Sequence, residues 1–355
     1  MCHITGHDAG IWHRTFLGAA AYLIRLFQRN LKEDSMPRPY RPRRSCLAVP
    51  GSSEKMITKA QTLQADQVFL DLEDSVAPAA KPGARANVIA ALRDGAWTGK
   101  ARVVRVNDAD TKWAYDDVIG VVTHAGEHLD CIMLPKVEKI AHILWLDVLL
   151  NQLEMSLGLP RGGIGIEAQI EGPGGLSDID AIAAATPRLE TIIFGPGDFS
   201  AAMNMPQLTI GGGDLDHGPN PFDHVLMDIA VAARKHGVQA IDGPFAKIHD
   251  VDGYRSYCER AAAYGFDGKW VLHPGQIDVA NAVFSPPQES YDKAELILDA
   301  YAYYTSDAGG AVGAVMLGDE MIDEASAKIA LSMATRGRRL AMKRTTVFSP
   351  PAPAV

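Results

Sequence analysis

The sequence predicts an α/β fold, a TIM-type (β/α)8 barrel with a C-terminal helical extension, and three observations predict it. Eight short apolar or β-branched runs recur along the chain, stretches with helical spacing separate them, and the runs close on polar residues suited to chemistry. Eight β/α units in series are what such a barrel requires, and a doubly wound sheet is the alternative. No GxGxxG follows the first run, which weakens the dinucleotide-binding form of that alternative. The 355 residues, 47% of them hydrophobic, suffice for one barrel with additions or for two smaller domains.

Taken in order, residues 1–38 stand apart from the rest. "IWHRTFLGAAAYLIRLFQRN" suits an amphipathic helix, but Arg25 interrupts its apolar run, which is too short to span a bilayer and lacks a signal-peptide cleavage pattern. Because Met36 opens "MPRPYRPRRSCLAVPG" just ahead of the first strand, this segment is expected to be a dispensable extension or an over-long start. Residues 39–288 are expected to form the barrel. Its strands are "SCLAVPG", "QVFLDLE", "ARVVRVN", "CIMLPK", "GIEAQIE", "TIIFGPGD", "VQAIDGP" and "KWVLHPG", with helices such as "EKMITKAQTL" and "DHVLMDIAVAARKHG" between them. Residues 289–342 read as a helical lid, "YDKAELILDAYAYY" and "DEMIDEASAKIALSMATRG" flanking a Gly-rich "AGGAVGA". Residues 343–355, ending "SPPAPAV", are expected to be a disordered tail.

Charge narrows the function classes. With 34 basic and 43 acidic residues the net charge is −9, which disfavours nucleic acid and anionic membrane as partners and leaves a small molecule. Cys2, Cys46, Cys131 and Cys258 lie far apart with no CxxC, against a disulfide framework or a structural zinc site. A reducing cytoplasm is the expected location. His124 and His128 lack the HExxH order of a zinc site and read as surface residues.

In a TIM barrel the catalytic groups stand where strands end. Here the second run ends in Asp71, Glu73 and Asp74, the third in Arg105 and Asn107, and the fourth in Lys136. The fifth gives Glu171, the sixth Asp198, the seventh Asp242 and the eighth His273. Carboxylates ringed around an arginine suggest a divalent cation and an anionic substrate. Plainer readings stay open. Glu171 could be a helix N-terminal acid, Asp198 a helix N-cap, and Arg105 a partner in a salt bridge to the Glu73 region.

The motifs "RSCLAVPGSSEKMITKA", "FLDLEDSVAPAAKPGAR", "VVRVN", "AQIEGPGGL", "FGPGDFSAAMNM", "KWVLHPGQIDVANAVFSP" and "GAVMLGDEMIDEA" occur in family order over residues 43–339. They resemble the acyl-CoA lyases of the citrate lyase β-subunit family (HpcH/HpaI aldolase/citrate lyase), most closely the malyl-CoA and β-methylmalyl-CoA lyases. The resemblance implies a Mg²⁺-dependent barrel, with Mn²⁺ as a substitute, that reversibly cleaves a 3-hydroxyacyl-CoA to an acyl-CoA and glyoxylate. It puts Glu171 and Asp198 on the metal and Arg105 on the substrate. Glu73 and Asp74 would orient Arg105 and the metal-bound waters, while Asp71 would point into the barrel wall or cap a loop. Asp323 matches an aspartate that a neighbouring subunit places over the site, there to act as acid and base with a pKa lifted by apolar enclosure.

For coenzyme A the same resemblance lays Pro50, Gly51, Ser52 and Lys55 along the cofactor portion and brings Arg44 or Lys81 to its phosphates. Gly195, Pro196 and Gly197 would line the substrate pocket, and His273, with Pro274, would support it through hydrogen bonding. It further implies a homotrimer or homohexamer. A citramalyl-CoA or citryl-CoA lyase, a malyl-CoA thioesterase and a non-catalytic lyase subunit remain alternatives.

Overall fold

The first apolar run becomes strand β1 (Ser45–Pro50), which opens a closed barrel of eight parallel strands in sequence order. The computed structural model describes residues 40–206, 208–211 and 220–350. The amphipathic helix expected within residues 1–38 therefore lies outside the described residues. From β1 the chain continues through α1 (Glu54–Gln61), β2 (Gln67–Asp71), α2 (Lys81–Asp94), β3 (Ala101–Arg105), α3 (Ala114–Ala125), β4 (Cys131–Leu134) and α4 (Ile140–Leu157). Then come β5 (Gly165–Ile170), the short α5 (Pro173–Ser177) and α6 (Ile179–Ala184), β6 (Leu189–Phe194), α7 (Pro196–Ala202), α8 (Asp223–His236), β7 (Gln239–Asp242), α9 (Val251–Ala263) and β8 (Gly268–Val271). All eight predicted runs are strands, and β8 closes on β1 with Cys46 opposite Trp270.

The strands are nearly continuous in buried residues because helices cover the outside of the sheet and side chains fill its inside. Local signals set where the helices begin and end. Ser53 accepts a hydrogen bond from the Met56 amide to start α1, and Asp250 does the same for Gly253 at α9. Gly158 and Gly237 stop α4 and α8 in the left-handed conformation.

Inside the barrel, Cys46, Phe69, Val103, Cys131, Met133, Ile193, Ile241 and Trp270 form one apolar cluster. Phe69 and Trp270 pack with ring centroids 4.4 Å apart, and burial of each such side chain stabilises the fold by about 2 kcal/mol. Beneath this cluster, at the N-terminal ends of the strands, buried Arg43 donates to Glu167 (2.8 Å), Glu190 (2.6 Å), Gln67 and Gln239. Above it, at the C-terminal ends, lie the polar residues singled out in the sequence.

A second compact unit begins at Asp278. Helix α10 (Ile277–Val283) carries the chain across the boundary, and α11 (Gln288–Tyr304), β9 (Val315–Leu317), β10 (Glu320–Ile322) and α12 (Glu324–Arg339) follow. Its core joins Ala294, Ile297 and Ala300 of α11 to Ala330 and Ala334 of α12, with Ile322 between. Two expectations change here. The start of "DEMIDEASAKIALSMATRG" is a strand of a two-stranded antiparallel ribbon rather than helix. Residues 343–350 are also not a free tail: Thr345 donates from its amide (2.8 Å) and its hydroxyl (2.5 Å) to Asp292, Arg344 pairs with Asp299, and Phe348 packs on Tyr303 and Tyr304.

Among the described residues no helix is long and apolar enough to cross a membrane. Cys46, Cys131 and Cys258 are buried free thiols.

Candidate active site

Asp71 ends β2 and pairs in register with Arg105, the last residue of β3. Asp71 shares the inward side of its strand with Phe69, so its carboxylate enters the mouth of the barrel, where Arg105 meets it. Arg105 Nε lies 2.7 Å from Asp71 Oδ1 and Nη2 lies 2.7 Å from Oδ2, a bidentate fork. The guanidinium also stands over the Trp270 ring, 5.2 Å from its centroid. Its remaining nitrogen, Nη1, is 3.0 Å from Glu73 Oε2 and 4.0 Å from Asp74 Oδ2.

Asp71 holds more than the arginine. Its oxygens accept from the amides of Glu73 (2.9 Å) and Ser75 (3.1 Å), which curls the loop so that Glu73 returns over the barrel. Burial opposes ionisation of Asp71, but the Arg105 charge and these hydrogen bonds outweigh it and hold the carboxyl below its ordinary range. For Arg105, burial likewise disfavours the charge, and Asp71, Glu73 and Glu171 overcome it. The arginine therefore stays charged and fixed in direction.

Glu171 follows β5 and is 5% exposed. Its Oε1 accepts from Gln169 Nε2 (2.7 Å) and its Oε2 from the Lys136 amide (2.9 Å), so it faces the barrel mouth and does not cap α5. Burial, with Glu73 and Asp198 adding repulsion against the pull of Arg105, pushes its pKa up to about 8. Burial also raises Glu73, against the attraction of Arg105 and Lys136. Asp198 stands in the first turn of α7 with its carboxylate 47% exposed. It is three residues past the N-cap, Gly195, and so is not itself the cap.

Lys136, just past β4, ties these acids together. Its ammonium lies 2.5 Å from Glu73 Oε1, 3.3 Å from Asp74 Oδ1 and 3.9 Å from Asp198 Oδ2.

The donor set fits a hard divalent cation. Five carboxyl groups, Asp71, Glu73, Asp74, Glu171 and Asp198, share two basic side chains, Arg105 and Lys136. Buried Gln169 Oε1 accepts no hydrogen bond, and Glu73 Oε2 has only its ion pair with Arg105 Nη1 (3.0 Å). Gly195 leaves room for Glu171, since a Cβ there would sit 2.4 Å from both Glu171 Cγ and Oε1. No group of three or more His, Cys, Asp or Glu among the described residues is arranged to hold a metal alone. A Mg²⁺ ion commonly takes one or two carboxylates while water and substrate complete its octahedron, so a site of this kind needs no such group.

The profile of the HpcH/HpaI aldolase/citrate lyase family matches residues 44–274. The chain belongs to this family. It is 37% identical over 301 residues to the L-malyl-CoA/beta-methylmalyl-CoA lyase of Cereibacter sphaeroides, covering 82% of this chain and 93% of that protein. It is also 33% identical over 270 residues to a (3S)-malyl-CoA thioesterase of the same organism, covering 73% of this chain and 83% of the relative. Its barrel resembles the solved structure of CitE from Mycobacterium tuberculosis in complex with magnesium, acetoacetate and coenzyme A. The TM-score is 0.65 at 28% identity, with 84% of this chain and 98% of that one covered.

Within this citrate lyase-family barrel, Asp71, Glu73, Asp74, Arg105, Glu171 and Asp198 come together at one end, and Gly195, Pro196 and Gly197 begin the helix that presents Asp198. Pro50 closes β1 at the same end, with Ser52 and Lys55 exposed just beyond it. Gly51 is a packing residue: its amide donates to the Asp71 carbonyl (2.8 Å), and a Cβ would strike that oxygen at 2.8 Å. His273 Nδ1 accepts from the Gly275 amide (3.1 Å), holding the loop after β8.

Three expectations are corrected. Arg44 precedes β1 and so stands at the opposite end of the barrel, where Asp66 takes its Nε and Nη2 at 2.7 Å each. Lys81 is buried, with its three N–H groups spent on the Leu72 carbonyl, the Glu73 carbonyl and Asn107 Oδ1, which leaves none for a phosphate. Asp71 caps its loop as one reading allowed, but it is also the main clamp on Arg105, a part assigned to Glu73 and Asp74. Within its own chain Asp323 caps α12, accepting from the amide and hydroxyl of Ser326, and these bonds hold its carboxyl below the ordinary range.

Sequence reasoning noticed Lys136 but gave it no role, and it passed over Gln169. The signal for Lys136 was its place directly after a strand end. Gln169 had none, because a polar residue inside a buried parallel strand shows its direction only in the fold.

Proposed function

We propose that the chain is a Mg²⁺-dependent acyl-CoA lyase. It cleaves malyl-CoA reversibly to acetyl-CoA and glyoxylate, and β-methylmalyl-CoA to propionyl-CoA and glyoxylate. The observation that carries this reading is the Arg105–Asp71 fork set beside Glu171 and Asp198 at the mouth of a barrel whose relatives include a lyase of that name.

Glu171 and Asp198 would hold the cation, which when bound supplies Lewis-acid polarisation and a template for the glyoxylate portion. Asp71 and Glu73 keep Arg105 charged and aimed, so its N–H groups can donate to the thioester oxygen as negative charge develops there. Cleavage passes the hydroxyl proton to a carboxylate at the barrel mouth and breaks the carbon–carbon bond, leaving glyoxylate and the thioester enolate. Asp323 of a neighbouring subunit returns a proton to the enolate carbon, and in synthesis it takes that proton away. For this step the carboxyl has to leave its Ser326 contacts and be enclosed, which raises its proton affinity. Ser52 and Lys55 are the exposed residues of the β1 loop suited to the coenzyme A portion.

The thioesterase relative favours one competing outcome, water attacking the same thioester. Incubating the purified protein and Mg²⁺ with malyl-CoA, β-methylmalyl-CoA and citramalyl-CoA separates the readings by mass spectrometry. Acetyl-CoA with glyoxylate is expected from malyl-CoA, chelator should abolish its formation, and Mg²⁺ or Mn²⁺ should restore it. Malate and free CoA without glyoxylate would establish the thioesterase, and full activity after exhaustive chelation would remove the cation from the reaction.

A further inference from the structure

Lys136 has no part in the chemistry above, yet its position is costly and specific. It is a non-glycine residue in the left-handed region, with φ of 51°. That backbone turn directs its amide onto Glu171 Oε2 at 2.9 Å. The same turn sends the side chain over the loop after β2 and the start of α7, where the ammonium touches Glu73 and Asp74 and lies 3.9 Å from Asp198.

We infer that Lys136 is a positioning residue for the cation site: its ammonium occupies the charge position among Glu73, Asp74 and Asp198 before a divalent cation arrives, and so weakens and gates cation binding. The inference rests on the reading of Glu171 and Asp198 as cation ligands. An ammonium and a divalent cation are both drawn to Asp198, and each repels the other across a few ångströms. When the cation takes Asp198, the ammonium withdraws onto Glu73 and Asp74, with which it already makes its shortest contacts. The free barrel thus keeps its acids assembled and partly neutralised, and it holds metal less tightly than the carboxylates alone would.

The test uses the full chain and Mn²⁺ alone, with bound and free ion separated by electron paramagnetic resonance. Lys136→Met removes the charge and keeps the length, while Lys136→Arg keeps the charge; neither changes the backbone demand, since all three residues carry an unbranched Cβ. Lys136→Met should bind Mn²⁺ at least about tenfold more tightly than the unaltered protein, a difference of about 1.4 kcal/mol. Lys136→Arg should stay close to the unaltered value. Lys136→Gln repeats the neutral case should the methionine variant fail to fold, as judged by circular dichroism. Neutral variants that bind Mn²⁺ equally or more weakly would make Lys136 only a brace for the acids, and the inference falls. A parallel Glu171→Gln titration tells that failure from a deeper one. If it binds Mn²⁺ as well as the unaltered protein, the ligand assignment fails first and takes the inference with it.

Discussion

At Arg105 the planar fork matters as much as the charge. Two nitrogens engage both oxygens of Asp71 while a third meets Glu73, so the guanidinium presents one fixed edge to the mouth of the barrel. An ammonium at that site would keep the charge but could not span both Asp71 oxygens with parallel bonds. Arg105→Lys is therefore expected to lower kcat/KM for cleavage by about tenfold or more, one step of about 1.4 kcal/mol. Steady-state kinetics with intact thermal unfolding would check it. Near-normal turnover would mean that a point charge is enough. Arg105 was legible as the polar end of an apolar run, but its main partner was not. In a strand buried on both faces the apolar pattern does not reveal parity, so nothing in "FLDLED" says that Asp71 turns inward and the loop then brings Glu73 back. Arg44 is a different case. Chain direction alone puts a residue before a strand at the N-terminal end, away from the site, and that signal was available.

At the level of elements, the junction of β6 and α7 shows how backbone permits chemistry. Gly195 has φ of −109°, which any residue can adopt, so its need for a hydrogen comes from contact rather than conformation. A methyl group there would overlap the Glu171 carboxyl and displace it from the Lys136 amide and Gln169. Gly195→Ala should cost about 1 to 3 kcal/mol of stability through overpacking. It should also weaken Mg²⁺ activation of cleavage, measured as a rise in the Mg²⁺ concentration giving half-maximal rate. Unchanged Mg²⁺ dependence would show that Glu171 can shift without loss and is no ligand. The eight strands were readable because parallel strands covered by helices are written as short continuous apolar runs. The ribbon of β9 and β10 was not, because three residues are too few to establish a two-residue alternation, and "EMIDEA" satisfies helical spacing as well. Residues 343–350 misled for a related reason. Their order comes from distant partners on α11, Asp292 and Asp299, which composition does not disclose.

For the whole molecule, the role proposed for Asp323 sets how many chains would make one site. The barrel and the unit that begins at Asp278 each have their own core, and Asp323 belongs to the second. In its own chain it caps α12 through Ser326, and these hydrogen bonds hold its carboxyl below the ordinary range. The proposed chemistry needs a carboxyl enclosed away from water, which would also protect the enolate from side reactions. Such enclosure is expected from a neighbouring copy, whose second unit would close over this barrel as a lid. Mixing two inactive proteins gives the direct measurement. On the proposed roles, Glu171→Ala would lack a cation ligand and Asp323→Ala the proton donor. Dissociated and reassembled together, they should recover part of the lyase activity, since some sites then join an intact barrel to an intact lid from the other variant. Mass photometry would establish that mixed oligomers form. If they form and stay inactive, either Asp323 works within its own chain, or it only caps α12 and the proton comes from another group at the barrel mouth.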